Sequence, residues 1–291
     1  MRFAGAFPLA APLPHAYADP MTDDLLARIA AALDRLAPPP APPVDLTGDS
    51  FVWRDNRLTP VTAARAQPLS VFAGVDAQRD ALLENTRRHA RGLPAHDVLL
   101  WGARGMGKSS LVKSVAAAVR AEGNDLMLIQ VGRDDIASLG GLFDALGGGR
   151  RALVFADDLS FEADETQYKA LRSVLDGGIA ARLDGVRLVV TSNRRHLVPR
   201  NHGDDEGAIN LRDVLDDRLA LADRFGLSLG FHNCDQATFL AIVARYAAAH
   251  GLRCDEGSAL AWATGRGNRS GRVAWQFIEE TAGAAGRRLD K

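Results

Sequence analysis

Hydrophobic positions along the chain follow two different periods. From about residue 69 to residue 232, short apolar runs alternate with stretches whose apolar residues recur three or four apart, the pattern of parallel strands joined by helices. Runs at 98–101, 126–131, 152–156, 187–191 and 227–231 read as five strands, and their almost unbroken apolar character suits strands covered on both faces. Helices are expected at 76–91, from Lys108 to 123, at 136–146 and at 166–175. After His232 only helical spacing remains. Phe239, Ile242, Val243 and Tyr246 share one face, Gly251 stops that helix, and two more follow around Leu260 and from Arg272. The layout predicts an α/β domain over 69–232 and a helical domain over 233–291.

Residues 1–68 differ from the rest. Thr22 can cap a helix whose Leu26, Ile29, Leu33 and Leu36 recur at helical spacing, and Pro38-Pro39-Pro40 must end it. The Ala/Pro run to Pro43 reads as a stiff extended linker. Phe51-Val-Trp53 and Leu58-Thr-Pro-Val61, flanking Asp55-Asn56, predict a small hairpin. This region is an accessory element. Its apolar stripe is expected to pack on the chain's own core, with a docking arm as the alternative. Residues 1–18 imitate a secretory signal, but Pro8, Pro12 and Pro14 interrupt the helix a signal needs, so a cytoplasmic protein is expected.

Composition narrows the field little. With 47% apolar and 24% charged residues the chain is an ordinary globular one, and 291 residues allow one large domain or two modest ones. A net charge of −1 supplies no global field for nucleic acid or an anionic membrane, although a local basic groove is compatible with it. Cys234 and Cys254 form neither a disulfide framework nor a metal set, which suits a reducing compartment. No apolar run approaches the length of a membrane span.

Chemistry concentrates at strand ends. Gly102-Ala-Arg-Gly105-Met-Gly107-Lys108-Ser109 is a complete G-x-x-x-x-G-K-S loop between a predicted strand and a predicted helix. Glycines let successive N–H groups converge on one anion, the helix N-terminus adds its dipole, Lys108 adds a charge, and Ser109 suits magnesium. A nucleoside triphosphate is therefore expected, held by Gly102, Gly105, Met106, Gly107, Lys108, Ser109 and Ser110. The strand 153–156 ends in Asp157-Asp158. Asp157 is expected to hold magnesium with Ser109, the acidic strand lying beside the loop strand, and Asp158 to polarise an attacking water. Asn193, ending the next strand, can orient that water. Arg224 at the sheet rim, with Arg218 as a second candidate, can complete a neighbouring subunit's site, unless it is a surface ion pair with Asp223 or Asp217. Arg272, opening the last helix, can reach the nucleotide from the helical lid. His196, His202 and His232 have no partners at metal spacing, so no metal is expected beyond nucleotide-bound Mg2+. Asp204-Asp205-Glu206, beside Arg194, Arg195 and Arg200, reads as a solvated excursion, with a client-contacting loop as the sharper alternative.

The order of these features resembles the AAA+ superfamily. In that resemblance 102–109 corresponds to Walker A and 153–158 to Walker B. Asn193 corresponds to sensor 1, Arg224 to the arginine finger and Arg272 to sensor 2, while the Phe72-Ala-Gly74-Val75 segment, with Val75, lies beside adenine. Leu100-Trp-Gly-Ala-Arg-Gly105, Asp157-Asp-Leu-Ser-Phe-Glu162, Tyr168-Lys-Ala-Leu171, the run 191–200 and Asp223-Arg-Phe-Gly226 are similar to a bacterial family of AAA+ ATPases known chiefly as a domain of unknown function. The resemblance covers residues 51–285. It implies a P-loop NTPase (AAA+) α/β fold, its parallel sheet sandwiched by helices, with a C-terminal helical lid and a small N-terminal accessory region. It also implies ATP and Mg2+ as cofactors, self-association through Arg224, and an ATPase that remodels or loads a macromolecular partner. The partner would be a protein client, with nucleic acid also open and no membrane. The alternatives are a nucleotide-switched binding module akin to replication initiators and helicase loaders, and a small-molecule phosphotransferase, which Asn193 and the C-terminal lid disfavour.

Overall fold

The computed structural model describes residues 20–36, 45–62, 65–159, 165–176, 183–193 and 221–289. Arg218, the acidic loop at 204–206, Arg194, Arg195, Arg200, His196, His202, the proline run 38–43 and residues 1–18 lie outside them. The chain divides into a unit at 1–43 and a unit at 44–291.

In the first unit, α1 (Pro20–Leu36) forms where the spacing of Leu26 and Ile29 predicts a helix. Leu25, Leu26 and Ile29 of this helix are about half exposed.

In the second unit a hairpin, β1 (Ser50–Arg54) and β2 (Arg57–Pro60), turns at Asp55 and Asn56, both in the left-handed region that the short polar side chains tolerate. Strands β3 (Val98–Gly102), β4 (Leu126–Val131), β5 (Arg151–Ala156), β6 (Val186–Ser192) and β7 (Leu227–Phe231) follow the five apolar runs. Between them lie α2 (Asp76–Ala90), α3 (Lys108–Ala121), α4 (Leu139–Leu146) and α5 (Glu165–Leu175), with a 3-10 segment, Arg133–Ser138, occupying the start of the helix expected at 136–146. The last three helices are α6 (Gln236–Ala249), α7 (Glu256–Gly265) and α8 (Gly271–Ala284).

The sheet runs β2-β1-β4-β5-β6-β3-β7, parallel except for the β1–β2 hairpin. Alternate residues of each central strand feed two cores. Met127, Ile129, Val154 and Val190 pack with α4 and α5, while Leu126, Leu128, Phe155 and Val189 pack with α2 and α3. The order differs from the expected one at one point: β6 lies between the loop strand β3 and the acidic strand β5, so those two are not neighbours. Pairing between β5 and β6 is as the sequence predicts. The hairpin, grouped by sequence with the accessory region, instead extends the main sheet through β1 and β4. The three C-terminal helices enclose a third core around Phe239, Ala259, Ala274 and Ile278, and side-chain caps from Asp235, Asp255 and Ser270 start them.

Trp53 locks the hairpin down. It is 2% exposed and its indole N–H donates to Ser138 Oγ at 2.8 Å. Trp53→Ala is expected to cost about 3–5 kcal/mol in urea unfolding, with a single transition retained, because the hairpin is part of the sheet.

Candidate functional site

A cleft of about 720 Å³ opens at the C-terminal edge of the sheet, where β3, β5 and β6 end. In parallel α/β sheets this is the edge at which helix N-termini and loops converge. Two of its constraints come from glycine. Gly102 has φ +119°, and a Cβ there would lie 2.0 Å from the Phe231 carbonyl oxygen, which already accepts the Ala103 N–H at 2.7 Å. Gly107, at φ +85°, turns the chain into α3, whose N-terminus carries no side-chain cap. The first-turn amides of α3 therefore remain available to an anion in the cleft.

Lys108 is 6% exposed. Its ammonium donates to the carbonyls of Gly102 (2.8 Å) and Ala103 (2.9 Å) and to Asn193 Oδ1 (3.1 Å). Burial pushes its pKa down to about 8, against the pull of Asp158 and Asp157 and assisted by Arg104 and Arg272. At the next residue, Ser109 Oγ donates to Asp157 Oδ1 at 2.5 Å, and the buried Thr191 hydroxyl donates to the same oxygen at 2.5 Å. Thr191 Oγ1 also accepts the Asp158 N–H at 2.8 Å. Asn193 Nδ2 donates to Asp158 Oδ1, so the amide bridges Lys108 and Asp158. Ser109 and Asp157 offer hydroxyl and carboxylate oxygens on adjoining elements, the hard donor set that magnesium prefers. These oxygens fit the ion.

The far end of the cleft is apolar and aromatic. Val71, Phe72 and Ala73 face Ile242, Tyr246 and Trp275 from the helical domain, and Tyr246 donates to Gln67 Oε1 at 3.3 Å. The Tyr246 and Trp275 rings meet edge to face at 5.3 Å. A cationic end with free helix amides and an aromatic wall thus share one cavity.

Of the residues singled out by sequence, Gly105, Met106, Gly107, Lys108, Ser109, Ser110, Asp157, Asp158, Asn193 and Arg272 all line this cleft. Arg272 N–H donates to the Gly105 carbonyl at 3.0 Å, joining the first turn of α8 to the loop. Three do not line it. Gly102 ends β3 behind the loop, where its carbonyl accepts the Lys108 ammonium. Val75 is buried in the core beside α2, and Ala73, two positions earlier, lines the wall instead. Arg224 is ion-paired with Asp176, which directly follows α5, and Asp217 lies outside the described residues. Gln67, Arg104, Thr191, Tyr246 and Trp275 line the cleft without having been singled out as site residues. For Thr191 the polar end of an otherwise apolar strand was the available signal, whereas Tyr246 sits at a core spacing and gave none.

A family model described as protein of unknown function (DUF815) matches residues 47–285. No curated protein matches the chain. Among solved structures, the Aeropyrum pernix Orc1 protein in complex with DNA aligns at 17% identity with a TM-score of 0.55, over 77% of this chain and 65% of that one. A Thermotoga maritima RuvB mutant aligns at 18% identity with a TM-score of 0.50, over 78% of this chain and 70% of that one. At such identities the likeness is one of fold, and it is the AAA+ fold. No helix among the described residues is long and apolar enough to cross a membrane.

The depressed Lys108 pKa makes ligand binding proton-linked. Phosphate oxygens favour the ammonium, so a ligand bound above the free-state pKa must restore a proton. At about pH 9, ATP binding should take up most of a proton per site, at about pH 7 almost none, and affinity should fall as pH rises through that window. Calorimetry in buffers of different ionisation enthalpy measures the uptake, and Lys108→Ala should abolish it.

Proposed function

The chain belongs to the family described as protein of unknown function (DUF815), and from that premise we propose that it is an ATPase coupling the binding and hydrolysis of Mg-ATP to remodelling or loading of a macromolecular partner. The observation that carries this reading is the Ser109–Asp157 hydrogen bond, with Lys108 on the preceding residue and an aromatic wall at the other end of the same cleft.

In this reading the amides of residues 105–110 and the Lys108 ammonium bind the β- and γ-phosphates, and Gln67, Phe72, Tyr246 and Trp275 hold the base. Ser109 and Asp157 would hold magnesium, which when bound neutralises charge on the phosphate oxygens. Asp158 polarises the attacking water and Asn193 orients it, once the phosphate has drawn Lys108 away from the amide. Residues 69–232, with the hairpin of 50–60 added to their sheet, act as the nucleotide-binding core, 233–291 as a lid carrying Arg272 to the loop, and the rest of 1–68 as an accessory region. Arg224 stands at the rim just before β7, with a quarter of its side chain exposed. It supplies positive charge to a neighbouring copy's phosphates, exchanging Asp176 for that anion. The setting is cytoplasmic, where ATP is available, and the partner is a protein client or a nucleic acid.

A second reading, a nucleotide-switched binding module with little turnover, is favoured by one observation: the short Asp158 carboxylate is already engaged by Asn193. Steady turnover stimulated by a partner supports the first reading. Tight binding with negligible turnover supports the second.

Asp157→Asn should abolish most magnesium-dependent hydrolysis while ATP binding is largely kept, because an amide is a weaker magnesium ligand than a carboxylate. Steady-state turnover against titrated affinity checks the split, and wild-type turnover at limiting magnesium excludes the role. The shared site has its own test. Arginine fingers contribute about 10³-fold or more to turnover, so specific activity should rise with protein concentration. Mixing Arg224→Ala with Lys108→Ala should recover part of the lost activity, since one chain's intact loop then meets the other's intact arginine. Concentration-independent activity without rescue refutes it.

A further inference from the structure

Asp158 is held in an uncommon conformation. Its φ is +53°, a left-handed backbone that a non-glycine residue keeps where its surroundings impose it. Three contacts do so. Asp158 N–H donates to Thr191 Oγ1, Leu159 N–H donates to the Thr191 carbonyl at 2.8 Å, and Arg133 Nη2 donates to the Asp158 carbonyl at 2.5 Å. The same Arg133 nitrogen lies 4.0 Å from Asp158 Oδ2. The first two contacts come from the adjacent strand β6. The third comes from the opposite side, at the start of the 3-10 segment after β4.

That segment is fastened to the hairpin. Asp135 Oδ1 accepts the Asp55 N–H of the hairpin turn at 3.0 Å, Ser138 Oγ accepts the Trp53 indole, and Ser138 in turn donates to the Asp135 carbonyl at 2.7 Å. A short rigid segment therefore grips the hairpin turn through Asp135 and Ser138 and the cleft's outer carboxylate through Arg133.

We propose that Arg133 is a positioning residue that aims Asp158 at the reacting water, and that the 3-10 segment 133–138 couples the edge hairpin to this aim, making the hairpin turn a control surface for hydrolysis. This rests on Asp158 acting in ATP hydrolysis as described above. A ligand or partner that moves the turn at 54–57 shifts the 3-10 segment, Arg133 and the Asp158 carbonyl with it. By linkage, nucleotide bound beside Asp158 must bias the turn to the same degree.

Two measurements test this. Arg133→Ala should lower kcat by about 10- to 100-fold, as expected when a reacting group is misplaced by about an ångström, with little change in ATP affinity. Arg133→Lys, which can still reach the carbonyl, should recover part of the loss. Asp135→Ala should lower kcat in the same sense, and the double variant should fall no further than Arg133→Ala alone. Additive losses, or an Arg133→Ala enzyme with wild-type kcat, overturn the proposal. The second measurement needs no turnover. Adding Mg-ATP to wild-type protein should change amide exchange at 54–57, and Arg133→Ala should erase that change while still binding ATP. A turn indifferent to nucleotide in the wild type overturns the coupling. A wild type that binds ATP and shows the exchange change but never hydrolyses it removes the hydrolytic reading and the aim assigned to Arg133, and leaves the coupling standing.

Discussion

One carboxylate oxygen, Asp157 Oδ1, is the point on which the site depends. It accepts two hydroxyls, from Ser109 at the head of α3 and from Thr191 on β6, while belonging itself to the end of β5. Parallel strands bring their C-terminal ends to one edge, but proximity alone leaves a buried anion unsolvated. Asp157 itself is half-buried, so the two hydroxyls supply part of what water would otherwise supply, and they fix the spacing of loop and acidic strand across the intervening β6. Thr191 has a second duty, since its oxygen also accepts the Asp158 N–H and so helps impose the backbone turn that separates the two carboxylates. One faces the helix head, the other faces Asn193 and Arg133.

The three C-terminal helices are fastened closely to this arrangement. Arg245 on α6 donates to the Phe72 carbonyl at 2.5 Å and reaches Asp76 at 3.4 Å, Thr238 packs where a Cβ on Gly74 would stand, and α8 begins against the Gly105 carbonyl. The aromatic wall is split between the two sides, so any change in the angle between them alters both ends of the cleft together.

Much of this was legible in the amino-acid order. The five strands were, because each is a short apolar run bounded by turn residues, and the loop was, because its spacing serves a single geometry. Strand order was not: β3, β5 and β6 are all apolar on both faces, and nothing in such runs says which neighbours which. Arg224 shows a second limit. Asp176, with which it pairs, lies 48 residues away in sequence and becomes adjacent only after folding. Val75 and Ala73 show a third, a difference of two residues in register that decides between core and cavity. Tyr246 and Trp275 keep helical core spacing, and only the meeting of two domains turns them toward a ligand. Arg133 carries no motif at all, and its place follows from where β4 happens to end.

The hairpin has a consequence for how sheets from different copies can meet. An open sheet has two edges, each a row of unpaired peptide groups able to recruit another strand. Here one of them is closed by a strand of only four residues that begins with an exposed arginine and ends with a proline lacking an N–H. Growth of the sheet across that boundary is disfavoured by length, charge and the missing donor. The molecule is thus handed with respect to strand addition, blunt on the β2 side, and if copies associate as proposed above, their contacts on that side come from side chains at loops and helices. Such contacts can be made and broken in a cycle, whereas a continuous intermolecular sheet would not let go.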